Sequence, residues 1–172
     1  MLMQRRTMVS AMVVCMLGAV AGVVPAKAQA TAADKAAIQA LYKHFNDGFN
    51  KKDVDAVMTV YAPDVFVFDV VPPRQYVGWD AYKKDWQDVF ASMPGPVTNT
   101  VVDLDVTVVG SVAYTHYIND GTMTDKDGKQ VHMVARSTDV LRKKDGKWLI
   151  VEEHNSFPVD MTTGQADMQS KP

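Results

Sequence analysis

Residues 65–73 read VFVFDVVPP, and Asp69 ends the apolar run. Taking an isolated charge out of water costs roughly several kcal/mol unless it is paired or protonated. Asp69 therefore sits at a wet edge, or is neutralised, or is held for proton transfer. Capping the Pro72-Pro73 turn is the plainest of these roles, and it stays open. Asp139 falls in another strand-like run, where it either pairs with Arg136 or a lysine on a neighbouring strand, or faces an interior. His116, His132 and His154 are spaced too widely in strands to suggest a shared metal site, and they lack a close acidic set. No G-x-S-x-G, phosphate loop or dinucleotide fingerprint occurs. If these carboxyl groups face an interior, the chemistry open to them is cofactor-free proton transfer.

Those groups must be positioned by the surrounding elements. Residues 34–50 place Ile38, Leu41, Tyr42, Phe45 and Phe49 on one stripe at helical spacing. A short helix is expected from the N-cap residue Asp53, with Val54, Val57, Met58 and Tyr61 inward and Pro63 as its stop. The strand carrying Asp69 follows, and then a third helix over 79–91 with Trp79, Tyr82, Trp86 and Phe90 on one side. From residue 97 onward the pattern is strand-like: 97–109, 111–122, 130–142 and 147–157, with turns at Gly110, at 125–128 and at 143–147. Helices first and a long antiparallel meander afterwards is an α+β pattern, with the sheet wrapped around three helices as a cone.

The first 28 residues read as an export signal. Arg5 and Arg6 precede an apolar stretch over 8–24, and Ala26-Lys27-Ala28 is a small-x-small cleavage site. The expected location is the periplasm or the outside of a bacterium, with no membrane attachment after cleavage. The remaining chain has no cysteine, which excludes disulfides and thiolate chemistry. Losing Arg5, Arg6 and Lys27 takes the formal net charge from −2 to about −5, which argues against a nucleic-acid partner. One domain over 31–160 fits this length, and the polar tail 161–172 is expected to be disordered.

Three segments, in order, carry a resemblance: NKKDVDAVMTVYAPDVFVFD (50–69), VGWDAYKKDW (77–86) and STDVLRKKDGKWLIVEEHNSFP (137–158). Together they resemble the SnoaL-like branch of the nuclear transport factor 2-like superfamily. The last also resembles the closing hairpin of the calcium/calmodulin-dependent kinase association domain. The resemblance implies a conical α+β domain, a pocket between sheet and helices, and a homodimer formed through the outer sheet face. It implies no single function.

Matching residues 53–61 to ketosteroid isomerase carries that enzyme's proton-abstracting aspartate onto Asp69, and the DGKW hairpin carries its protonated aspartate onto Asp139. The oxyanion-donating tyrosine of that enzyme falls on Phe45, which has no hydroxyl. Tyr42 lies one turn earlier, about 5 Å away along the helix. Pocket arginines of the kinase domain fall on His116, Asp139 and Asn155, so an anion site is not implied. The candidate catalytic set is Asp69 as base, Asp139 and His116 as acid or hydrogen-bond partners, and Tyr42 for developing negative charge. Phe45, Phe49, Trp79, Trp86, Met133, Asn155 and His154 are the candidate pocket residues for a small organic ligand. Strand parity puts His154 and Asn155 on opposite faces. Two functions stay open. One is a cofactor-free isomerase, cyclase, dehydratase or hydrolase. The other is a non-catalytic ligand-binding or dimeric association module.

Overall fold

The computed structural model describes residues 26–170, with side chains from residue 31. The export signal expected over 1–28 falls almost wholly outside the described residues. Helix α1 (Ala26–Asn50) turns its stripe of Ile38, Tyr42, Phe45 and Phe49 inward, and all four are buried. Helix α2 (Val54–Met58) starts where Asp53 accepts the Ala56 N–H at 3.0 Å. This satisfies one of the donors that a helix N-terminus leaves unpaired.

Tyr61, expected on the inner face of α2, instead opens β1 (Tyr61–Phe68), and Pro63 lies inside that strand. After β2 (Tyr76–Val77) comes α3 (Trp79–Ser92). The meander is β3 (Val97–Val109), β4 (Val112–Thr124), β5 (Gln130–Lys144) and β6 (Lys147–Ser156). The six strands form one curved, unclosed sheet in the order β2-β1-β6-β5-β4-β3, with β1 and β6 parallel and the other pairs antiparallel. The α+β expectation holds.

Local chemistry fixes the register that the site needs. Lys144 pairs with Lys147 across Asp145-Gly146, and both turn residues have positive φ (50° and 79°). That is the two-residue hairpin turn whose twist matches its flanking strands. Further along, Leu141 pairs with Ile150 but Val140 pairs with Glu152, so Val151 is an extra residue bulged out of β6. Before the bulge, the even residues Trp148 and Ile150 are buried; after it, the odd residues Glu153 and Asn155 face inward.

The tail expected to be disordered folds back on itself. Val159 bridges Ala166, and the carbonyl of Met168 accepts the Val134 N–H at 2.8 Å. That N–H lies on the part of β5 that β6 does not reach, because β6 ends opposite Arg136. The tail thus covers a sheet edge that would otherwise stay unpaired. Among the described residues no helix is long and apolar enough to cross a membrane.

Gly121 on β4 sits where β3 comes closest. A Cβ there would lie 2.7 Å from the Thr98 carbonyl oxygen and 3.1 Å from Asn99 Oδ1. Relieving that contact requires backbone to move. Gly121→Ala should therefore cost about 1–3 kcal/mol, measured as a fall in thermal midpoint of roughly 2–4 °C per kcal/mol.

Candidate active site

A cavity of about 140 Å³ lies between the sheet and helices α1 and α3. Phe45 and Phe49 reach it from α1, Trp86 and Val89 from α3, and Met123 and Met133 from β4 and β5. The Trp86 ring meets Phe45 and Phe49 edge-on, with centroids 5.9 and 5.6 Å apart. Polar groups interrupt this apolar wall at Asp69, Asp85, Asn99, Asn119 and Asn155. Among the described residues no lysine, arginine or histidine lines it.

Asp69 follows β1 directly and is half-buried. Its Oδ1 accepts the Val70 N–H at 2.5 Å, and its Oδ2 lies 3.1 Å from the Tyr82 hydroxyl. Burial pushes its pKa up, while those donors pull it down. Asp85 comes from the inner face of α3, one turn beyond Tyr82, and accepts the Tyr76 hydroxyl at 2.7 Å. Burial, with Asp69 adding like charge, raises its pKa to about 6.

Deeper in the fold lies a second pair of carboxyl groups. Asp139 (0% exposed) and Glu153 (3% exposed) are cross-strand partners on β5 and β6. Among the described residues neither is paired with a cation. Tyrosine hydroxyls take that place. Asp139 Oδ2 accepts Tyr42 at 2.6 Å and Tyr117 at 3.1 Å, and Tyr42 also meets Thr115 Oγ1 at 2.5 Å. Glu153 accepts Tyr82 at 2.6 Å, Tyr61 at 2.8 Å and the Asn155 amide at 2.8 Å. Burial is the largest cause raising both acids, and the Glu153 carboxyl beside Asp139 lifts the latter further. Glu153 rises to about 7. Asp139 Oδ1 is buried without a partner, which a neutral acid tolerates better than a carboxylate does.

The residues expected from the sequence are thus distributed over different places. Asp69, Phe45, Phe49, Trp86, Met133 and Asn155 meet at the cavity. Asp139 and Tyr42 meet each other, but beneath the cavity wall, so the Tyr42 hydroxyl is engaged inside the protein. His116 is exposed on the outer face, because Thr115 and Tyr117 take the inward positions on either side of it in β4. His154 is also exposed, its ring tilted against Phe68 with centroids 5.5 Å apart, since the bulge turns Glu153 and Asn155 inward. Trp79 packs outside the cavity, its indole N–H on the Met58 carbonyl at 2.9 Å. Sequence reasoning missed Asp85, whose neighbours Lys83, Lys84, Gln87 and Asp88 read as a solvated face. The signal for it was its place three residues after Tyr82 and four before Val89, on the face that both share. It also missed Glu153, Tyr61, Tyr82 and Tyr117. Among the described residues no cluster of three or more histidines or acids is arranged to hold a metal.

Residues 38–160 match the family model described as a SnoaL-like domain. No curated protein matches the chain. Among solved structures, an NTF2-like protein of unknown function from Pseudomonas putida KT2440 is 27% identical, with 82% of this chain and 98% of that chain covered and a TM-score of 0.75. A candidate calcium/calmodulin dependent protein kinase II association domain from Xanthomonas campestris is 25% identical, covering 69% and 84% of the two chains, with a TM-score of 0.61. A ketosteroid isomerase-like protein from Erwinia carotovora atroseptica SCRI1043 shares the fold at 24% identity, covering 70% and 93%, with a TM-score of 0.61.

The buried acids give stability a definite pH dependence. Asp85, Asp139 and Glu153 hold protons in the folded protein at pH values where the unfolded chain, titrating near 4, has lost them. The folded state then binds more protons, so stability falls as pH rises through the folded pKa values. Between pH 5 and 8 the unfolding free energy should drop by on the order of 2–4 kcal/mol. Denaturant titrations at the two pH values measure it, and Glu153→Gln should flatten the slope.

Proposed function

The chain belongs to the SnoaL-like domain family, and from that footing we propose that its cavity binds a small, uncharged organic molecule and moves a proton on it without a cofactor. The observation that carries this reading is that Asp69 and Asp85 line a mostly apolar cavity that, among the described residues, has no cationic side chain. An engineered cavity of about 150 Å³ holds a benzene-sized molecule, so one six-membered ring is the scale that fits here. An anion would meet two carboxyl groups and no counter-charge. In this reading Asp69 abstracts or returns the proton, and Asp85, titrating near neutral pH, serves as its acidic counterpart. The Asn119 amide, which spends one N–H on Ser137, orients the ligand's oxygen with the other. The reaction class is isomerisation, cyclisation, dehydration or hydrolysis, and the likeness to an isomerase-like structure is consistent with the first.

The second reading is a dimeric association module, favoured by the likeness to a candidate association domain. The outer face of the β3–β4 hairpin exposes Val109 (67%), Val112 (43%) and Tyr114 (48%). A homodimer through this face is compatible with catalysis in the cavity, and we include it in the proposal. Residues 31–160 then form the working domain, and 1–28 direct export to the periplasm or beyond.

Cyclohex-3-enone tests the chemistry. Wild-type protein should bind it and speed deuterium wash-in beside its carbonyl in D₂O, read by NMR, while benzoate should not bind. Asp69→Asn should slow wash-in by roughly 10²–10⁴-fold. Binding without acceleration in the wild type would leave only the ligand-binding part of the proposal. Light scattering tests the dimer: Tyr114→Glu should halve the measured mass with the fold intact.

A further inference from the structure

The Tyr82 hydroxyl lies between two carboxyl groups, 2.6 Å from Glu153 Oε1 and 3.1 Å from Asp69 Oδ2. A phenol has one proton to donate. If it donates to Glu153, the contact to Asp69 is a hydrogen bond only when Asp69 is protonated and donates to the Tyr82 oxygen. If it donates to Asp69, Glu153 must carry the proton instead. Both contacts are hydrogen bonds together only when the two acids hold at least one carboxyl proton between them, and a single proton has two arrangements.

We propose that Asp69, Tyr82 and Glu153 form a proton relay, with Asp69 as its end at the cavity and Glu153 as a buried positioning residue that sets the protonation of Asp69 through Tyr82. This rests on the reading of Asp69 as the proton-transferring group. In one arrangement Asp69 is a neutral acid and Glu153 a carboxylate. The Asp69 proton passes to the Tyr82 oxygen while the Tyr82 proton passes to Glu153. Asp69 is then a carboxylate, Glu153 a neutral acid and Tyr82 a phenol again, with the net charge unchanged. Asp69 can thus present either an acid or a base to the cavity without adding charge to the interior.

The surroundings suit a shared proton. Glu153 Oε2 accepts the Tyr61 hydroxyl, and Oε1 also accepts the Asn155 amide. These donors steady a carboxylate at the buried end in one arrangement, as the Val70 N–H does at Asp69 in the other. The other ionisable groups facing the relay are Asp139 with Tyr42 and Tyr117 on one side, and Asp85 with Tyr76 on the other. All are acids or phenols. Among the described residues no cation is paired with either end to fix the proton in place.

Carboxyl-carbon NMR titration of the full domain, without ligand, tests this directly. In the wild type, Asp69 and Glu153 should each show two midpoints common to both, because strongly coupled acids titrate as a pair. Asp69→Asn should remove from Glu153 the midpoint it shares with Asp69 and displace its remaining titration, which it shares with Asp139, by about one pH unit or more. Glu153→Gln should move Asp69 by the same amount, since coupling is reciprocal. Tyr82→Phe, which keeps the ring in the core, should weaken the coupling markedly, leaving only the part carried by charge through space. Independent single midpoints in the wild type would overturn the relay, and so would coupling that is undiminished in Tyr82→Phe. A protein that binds no ring compound yet shows the coupling would sink the catalytic reading alone.

Discussion

The constraint that organises this interior is the burial of Asp139 and Glu153 side by side with no cation among the described residues paired to balance them. Two neighbouring carboxylates in a low-dielectric interior repel each other and lose hydration, so the fold must protonate them, donate to them, or both. It does both. Four tyrosine hydroxyls, a threonine and an asparagine amide surround the pair, and the pKa values move upward. Removing the Tyr61 hydroxyl would leave Glu153 Oε2 without a donor among the described residues, at a cost of roughly 1–3 kcal/mol.

These hydroxyls come from separate elements: Tyr42 from α1, Tyr61 from β1, Tyr82 from α3 and Tyr117 from β4. Each brings a large ring into the core and a polar tip to the acids, so apolar packing and acid solvation come from the same side chains. The helical half of the chain is thereby joined to the meander at its most polar interior point. The cavity shares Asn155 with this cluster and adds Asp69 and Asp85 at its wall. Its apolar surface and its ionisable groups follow from one arrangement.

Much of this was legible in the sequence, and what was not has identifiable causes. The α1 stripe, the Asp53 cap and the Asp-Gly turn depend on local spacing, which a sequence states directly. Asp69 was recognisable because a carboxyl group at the end of a Val/Phe strand demands an explanation. Tyr61 was assigned to a helix because Val54, Val57, Met58 and Tyr61 keep helical spacing, yet parallel pairing with β6 draws it into β1. Asp85 was hidden among charged neighbours on α3. His116 and His154 drew attention as residue types, but their orientation follows from strand phase, and the phase of β6 changes at Val151. The tail looked unstructured because its fixing contact is a backbone bond to Val134, which leaves no trace in side-chain pattern.

The bulge at Val151 has a consequence for how this interior can vary. In an unbroken β6, the phase set by Trp148 and Ile150 would continue to Glu152 and His154, and the interior would receive an imidazole where it now has an amide. The chemical character of the core is therefore written partly in strand spacing rather than in residue identity. Point substitutions can tune the acids in place. A change in strand length would exchange the whole set at once, so descendants of this chain can acquire a different interior by a one-residue insertion or deletion in β6 without inventing a new side chain.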